Sequence, residues 1–320
     1  MKNRLRILSK GILVGVLAFA LDPQLVRAGT VLYATDLPNK RIWAVDVTNG
    51  VNTLVTTLLD EPDSIVFAPN GNMIYSLERV GKLGSFDGTT NKTLVSSGLV
   101  NPGDMTLEPS RTSVLISDIL AGKIFRYDLG TQNLTMLADF TSLGKGLKRV
   151  DGLAYDNSSR LFAVINQNEV AQINPVNGAI IKELTGLTGN LDGLTFDPVT
   201  GDLWASAFTA NSLLRIPVDL SGSTSLASGM IASPDGLVSD GIGNIFVAGY
   251  QTNIYQYNIA SKLVTKQNAV PGLDDLAPLV GLGAPIPEPS SWVLFGSGFL
   301  ALAAYSRRAT RLISLRGRIR

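Results

Sequence analysis

The amino-acid sequence predicts an all-β fold: a six-bladed β-propeller closed by N- and C-terminal strands in one blade, flanked by an N-terminal signal peptide and a C-terminal transmembrane helix. Three observations carry this expectation. A short apolar motif built around an aspartate recurs six times at intervals near 42 residues. Runs of four to seven β-branched and aromatic residues, parted by Gly, Asn and Asp turns, follow the copies. The two ends of the repeat region each supply part of one further repeat.

The six copies are Pro62-Asp63-Ser64-Ile65-Val66-Phe67, Pro102-Gly103-Asp104-Met105-Thr106-Leu107, Val150-Asp151-Gly152-Leu153-Ala154-Tyr155, Leu191-Asp192-Gly193-Leu194-Thr195-Phe196, Pro234-Asp235-Gly236-Leu237-Val238 and Leu273-Asp274-Asp275-Leu276-Ala277. Successive aspartates lie 41, 47, 41, 43 and 39 residues apart. A polar turn and a second apolar strand follow, as in Asn70-Gly71 before Met73 to Ser76 and Thr200-Gly201 before Leu203 to Ser206. Third strands such as Lys123 to Asp128 and Asn253 to Asn258 come next. A strand-built period near 42 is the signature of four-stranded blades around a channel. The last copy leaves no room for three more strands before Pro285, whereas the chain after Gly29 opens with three strands and no motif: Val31 to Ala34, Arg41 to Val47 and Thr53 to Leu58. Together they make one blade, which removes two exposed sheet edges.

Composition narrows the chemistry. With no Cys and no His in 320 residues, disulfides, thiolate nucleophiles, Cys-based zinc sites and imidazole bases are excluded, so catalysis would need carboxylates, hydroxyls, Lys, Arg or a hard metal. The net charge of +1 hides an uneven distribution. Residues 1–28 carry five basic and one acidic side chain, residues 287–320 six and one, and residues 29–286 sixteen and twenty-four. No Gly-rich phosphate loop, nucleic-acid motif or basic patch occurs in the repeat region, so nucleic acid is not an expected partner.

Residues 1–28 read as a signal peptide: a basic start (Lys2, Arg4, Arg6, Lys10), an apolar run from Gly11 to Leu21, and Val26-Arg27-Ala28 before Gly29. Cleavage is expected between Ala28 and Gly29, with the Sec export machinery as partner. The propeller is expected over 29–283 and a linker over 284–290. A transmembrane helix over 291–306 and an Arg-rich cytoplasmic tail over 307–320 complete the chain. Pro287 and Pro289 keep their stretch extended, as a protease needs. The uncharged run Trp292 to Tyr305 would be ~21 Å long as a helix. Arg307, Arg308 and Arg311 follow it and would stay cytoplasmic.

This terminus resembles the PEP-CTERM sorting signal of Gram-negative bacteria, carried here by Pro287-Glu288-Pro289, the apolar segment, and Arg307 and Arg308. The resemblance implies transient anchoring in the inner membrane, cutting by an exosortase, and release to the cell surface or extracellular matrix. The stretch from Leu312 to Arg320 makes a longer basic tail than such signals carry. The repeat region resembles six-bladed propellers of the NHL-repeat and gluconolactonase/senescence-marker-protein type, most closely in Asp192 to Asp197 with Gly201-Asp202-Leu203-Trp204.

Each motif aspartate opens an innermost strand, so Asp63, Asp104, Asp151, Asp192, Asp235 and Asp274 are expected to ring one channel mouth, with Asp36, Glu78 and Asp118 in neighbouring loops. Neighbouring carboxylates would repel, and two readings of what offsets this stay open. Each aspartate accepts backbone N–H bonds at its own turn or on the next blade, with Gly152, Gly193 and Gly236 permitting close approach; or several hold a hard cation, Ca²⁺ first. The gluconolactonase resemblance implies a divalent-metal set at Asp63, Asp151, Asp192 and Asp235, with Asp235 as catalytic base. In that resemblance Asp235 matches the Asp of the family's Pro-Asp-Gly motif, Asp151 and Asp192 fall at its two Asn positions, and Asp63 is the best candidate for its Glu position. Lyases of similar repeat pattern that open cyclic antibiotics use a histidine, which this chain lacks. Tyr33, Trp43, Phe125, Tyr127, Trp204, Tyr255 and Tyr257 alternate along strands and are expected to pack between blades. The expected function is a binding module for an extracellular polysaccharide or a surface protein. The alternative is a Ca²⁺-dependent lactonase-like hydrolase at the Asp-lined mouth.

Overall fold

The computed structural model describes residues 31–141 and 149–277, in which six four-stranded antiparallel sheets stand as blades around a central channel. The closing blade has β1 (Val31–Asp36), β2 (Arg41–Asp46) and β3 (Val51–Thr57) beside β24 (Leu273–Ala277). The first blade is β4 (Pro62–Phe67), β5 (Met73–Leu77), β6 (Lys82–Phe86) and β7 (Asn91–Val95). The second is β8 (Pro102–Leu107), β9 (Ser113–Asp118), β10 (Lys123–Asp128) and β11 (Leu134–Asp139). The third is β12 (Val150–Tyr155), β13 (Leu161–Ile165), β14 (Glu169–Ile173) and β15 (Ile180–Leu184). The fourth is β16 (Leu191–Asp197), β17 (Asp202–Ala207), β18 (Ser212–Pro217) and β19 (Thr224–Leu226), and the fifth β20 (Pro234–Ser239), β21 (Asn244–Gly249), β22 (Asn253–Asn258) and β23 (Leu263–Ala269).

The closure read from the bookends holds. β24 pairs with β1 in antiparallel register, Tyr33 opposite Ala277 and Ala34 opposite Leu276, so the ring is tied by residues some 240 positions apart. Second strands are buried on both faces because a blade packs on each side, and β5, β9 and β13 therefore read as nearly unbroken apolar runs. Outermost strands such as β3 and β23 alternate towards solvent. The core is a set of wedges between blades. In one, Phe162, Val164 and Val170 meet Leu191, Leu203 and Ala205.

The aromatics pack as expected. Tyr33 meets the Phe67 ring edge-on at 4.9 Å, across from the closing blade to the first. Trp204 meets Tyr257 at 5.6 Å between the fourth and fifth. Tyr127 and Tyr255 are buried. The expected signal peptide with its Ala28/Gly29 junction, the Pro287-Glu288-Pro289 motif, the expected transmembrane helix over 291–306 and the tail with Arg307 and Arg308 lie outside the described residues. Among the described residues no helix is long and apolar enough to cross a membrane.

Candidate functional site

One irregularity repeats in every blade. Each innermost strand carries one extra residue at the motif: Pro62 faces Leu77 and Ile65 faces Tyr75, so three steps on β4 match two on β5. The same bulge separates Pro102 from Met105, Val150 from Leu153, Leu191 from Leu194, Pro234 from Leu237, and Leu273 from Leu276. A bulge re-aims side chains that would otherwise alternate across the sheet. Here both bulge positions turn to a central cavity of about 350 Å³, lined by Asp63, Ser64, Asp104, Asp151, Asp192, Asp235 and Asp275, with apolar residues such as Val66, Leu107 and Phe196 deeper in the channel.

The register corrects the expected six-membered ring. Asp63, Asp151, Asp192, Asp235 and Asp274 hold the first bulge position, but in the second blade that place belongs to Gly103. Asp104 holds the second position and falls in line with Asp275 of the closing blade, which sequence reasoning missed. The other second positions are Ser64, Gly152, Gly193 and Gly236. These glycines allow close approach. A Cβ on Gly152 would lie 2.4 Å from the Leu194 nitrogen and 2.6 Å from the Asp192 carbonyl oxygen of the next blade, and one on Gly236 would collide with the Asp275 carboxylate.

Backbone hydrogen bonding, the first reading of the ring, applies to the second-position acids. Asp104 Oδ1 accepts from Met105 N–H at 2.7 Å, and its Oδ2 accepts from Leu153 N–H of the third blade at 2.6 Å. Asp275 Oδ1 accepts from Leu276 N–H at 2.7 Å. The Ser64 hydroxyl donates to Asp104 at 3.1 Å and accepts from Met105 N–H at 3.2 Å. A buried hydroxyl on the neighbouring strand braces four of the six bulges. Ser76 accepts from Ser64 N–H and donates to the Gly103 carbonyl, both at 2.9 Å. Ser206 accepts from Gly193 N–H at 2.9 Å, Ser117 donates to the Asp104 carbonyl at 3.2 Å, and Thr35 accepts from Asp275 N–H at 2.8 Å.

The first-position acids find other partners. Asp151, 1% exposed, is held by the Arg149 guanidinium, Nη2 to Oδ1 at 2.8 Å and Nε to the same oxygen at 3.3 Å. Asp192 neighbours Asp235, and its charge raises the proton affinity of Asp235. Burial is the main cause that raises the proton affinity of all seven acids. The pKa of Asp151 goes to about 7, with the Asp192 charge adding and Arg149 opposing. That of Asp275 also goes to about 7, against its hydrogen bond to Leu276. Asp63, Asp104, Asp235 and Asp274 are pushed well above the usual carboxylate range, each by burial first and then by neighbouring carboxylates. Asp192 is raised by burial, with Arg149 opposing. Buried acids that raise one another in this way share protons as a group.

The loop acids have structural work. Asp118 accepts from Val100 and Asn101 N–H, each at 2.8 Å, and Asp36 accepts from Asn39 Nδ2 and from Trp43 Nε1 at 3.1 Å. Glu78 accepts from Asn101 Nδ2 at 3.1 Å. At the rim, Phe208 and Tyr250 form a half-buried edge-on aromatic pair at 5.8 Å, in the loops after β17 and β21. Among the described residues, no group of three or more acids is placed to hold a metal ion.

Residues 285–308 match the PEP-CTERM protein-sorting motif. No curated protein sequence matches the chain. Among solved structures, a chain of the nidogen/laminin complex is 15% identical with a TM-score of 0.65, covering 78% of this chain and 98% of its own. Virginiamycin B lyase from Staphylococcus aureus is 14% identical with a TM-score of 0.57, covering 75% and 84%. The PQQ-bound aldose sugar dehydrogenase from Streptomyces coelicolor is 14% identical with a TM-score of 0.55, covering 68% and 84%. Likeness at this level of identity shows the six-bladed fold and nothing of the activity. The sorting motif implies export, transient membrane anchoring and exosortase processing.

Proposed function

We propose that this exported propeller is a binding module that engages a cell-surface or matrix partner at its carboxylate-lined channel mouth, through a positively charged group on that partner. The observation that carries this reading is the charge count at the mouth: seven carboxylates crowd the bulges, and Arg149 is the one cation bound among them in the described residues. An ammonium or guanidinium entering the mouth would relieve repulsion that protons otherwise relieve. The Phe208–Tyr250 pair at the rim adds an apolar edge suited to the stem of a lysine, an arginine or an amino sugar.

The test is thermal unfolding of the protein with 1,5-diaminopentane, against 1,5-pentanediol as the neutral control. The diamine is expected to raise the melting temperature at pH 8, with the effect reduced in Asp63→Asn and Asp235→Asn. Equal behaviour of diamine and diol would refute it.

The alternative is a Ca²⁺-dependent lactonase-like hydrolase with Asp235 as base and Asp63, Asp151 and Asp192 as further ligands. That set does not fit the site as it stands. Asp151 is already bound to a guanidinium, and among the described residues no three acids are placed to hold a metal ion. A calcium titration is the discriminating measurement. An unchanged melting temperature between chelator and millimolar Ca²⁺ removes the hydrolase, and a shift abolished by Asp235→Asn would favour it. The variant of virginiamycin B lyase with a histidine replaced by alanine is described as catalytically inactive, and this chain has no histidine to supply such chemistry.

A further inference from the structure

We propose that a second cavity, on the face opposite the carboxylate mouth, binds a small organic carboxylate with a compact apolar body, and that Arg111 is its anion-binding residue. The cavity lies between the first and second blades, at the β4–β5, β8–β9 and β10–β11 turns, and measures about 560 Å³. That volume is in the range of small-molecule sites. Ile74, Leu94 and Leu129 form an apolar wall, and Asn72, Thr112 and Gln132 supply polar groups.

Arg111 is unlike the other arginines. Among the described residues, Arg79, Arg126, Arg149, Arg160 and Arg215 each hold a carboxylate, and Arg41 is exposed to solvent. Arg111 lines the cavity with its Nε buried and no hydrogen-bond acceptor, and no described carboxylate pairs with it. Glu108, three residues before it, is gripped by Arg126 Nε at 2.9 Å and Nη2 at 2.7 Å. Asp128, which lines the same cavity, turns its Oδ1 to its own loop, accepting from Gly130 N–H at 3.0 Å and Thr131 N–H at 2.6 Å, and makes no ion pair with Arg111. A planar guanidinium held in a pocket with an unsatisfied donor is matched by a carboxylate, which accepts two parallel N–H bonds. The apolar wall selects for a ligand with more than the charged head.

The experiment is calorimetric titration of the full-length protein with 4-ethylbenzoate, with 4-ethylbenzamide as the neutral analogue and acetate as the head group alone. The benzoate is expected to bind at least about tenfold more tightly than either. Arg111→Gln is expected to weaken it by about tenfold or more. Thr112→Asp should do the same, because it places a carboxylate of the chain's own beside the guanidinium at an exposed position. Arg41→Gln should leave binding unchanged. The proposal is overturned by equal binding of benzoate and benzamide, by acetate binding as tightly as the benzoate, or by no binding up to about 10 mM, weaker than which affinity has little meaning. It is equally overturned if Arg111→Gln and Thr112→Asp both bind normally, or if Arg41→Gln weakens binding as much as they do. Both variants sit in a surface turn, and unfolding of either leaves the other as the test.

Discussion

Replacing Asp275 with asparagine is expected to stabilise the protein at pH 8. In the folded state the carboxyl has a pKa of about 7 against an ordinary value of 3.8, mainly through burial. A carboxyl raised in this way costs nothing below pH 4, where both states are protonated. From pH 4 to pH 7 the unfolded chain loses the proton while the folded one keeps it, so stability falls as pH rises, and above pH 7 the full penalty is present. The difference sets a ceiling of about 4 kcal/mol. Water in the channel and proton sharing with neighbouring acids bring the expected gain to about 1–3 kcal/mol. Asparagine keeps the acceptor: its Oδ1 can still take the Leu276 N–H. Urea unfolding of wild type and Asp275→Asn at pH 8 and pH 4 measures the effect. The gain should be present at pH 8 and nearly gone at pH 4. A variant less stable than wild type at pH 8, or a gain of equal size at both pH values, would refute the reasoning.

Arg149→Met leaves the buried Asp151 carboxylate without its cation, and should cost about 2–4 kcal/mol at pH 8 and less at pH 5, where Asp151 carries a proton; unfolding curves at the two pH values test this. Gly152→Ala drives a methyl group into the backbone of the next innermost strand and should cost more than about 3 kcal/mol, so a soluble variant with an unchanged melting temperature would contradict the packing described. Ser76→Ala removes hydrogen bonds to Ser64 N–H and the Gly103 carbonyl and should cost about 1–3 kcal/mol in the same assay. Deleting residues 287–320 should release the protein into the periplasm, and fractionation showing continued surface display would count against the sorting signal.

The blades were legible because a strand period near 42 and a split last repeat admit one closed solution, and Lys123–Asp128 and Asn253–Asn258 have the bounds the sequence indicates. The bulges were not, since a one-residue register shift leaves hydrophobic content unchanged. A trace was nonetheless present: Pro102-Gly103-Asp104 reverses the order of Pro234-Asp235-Gly236, and aligning the copies on the residue before the bulge moves Asp104 out of the first position. The same alignment makes Leu273-Asp274-Asp275 a double occupancy and brings Asp275 into view. Ser76 and Ser206 interrupt otherwise apolar second strands, a signal that a buried hydroxyl has a backbone group to satisfy. Arg149 and Arg111 gave no comparable mark, because their pairing is decided by neighbours from other turns.

The direction of the closing strand sets the face from which the chain leaves the ring. β24 runs from Leu273 at the carboxylate mouth to Ala277 at the far end of the channel, and β1, antiparallel to it, enters from that same far end at Val31. Only residues 278–284 separate β24 from the sorting motif, a leash of at most ~25 Å fully extended. The chain therefore leaves for the sorting motif from the face opposite the carboxylate mouth, and the mouth stays clear of the point of exit.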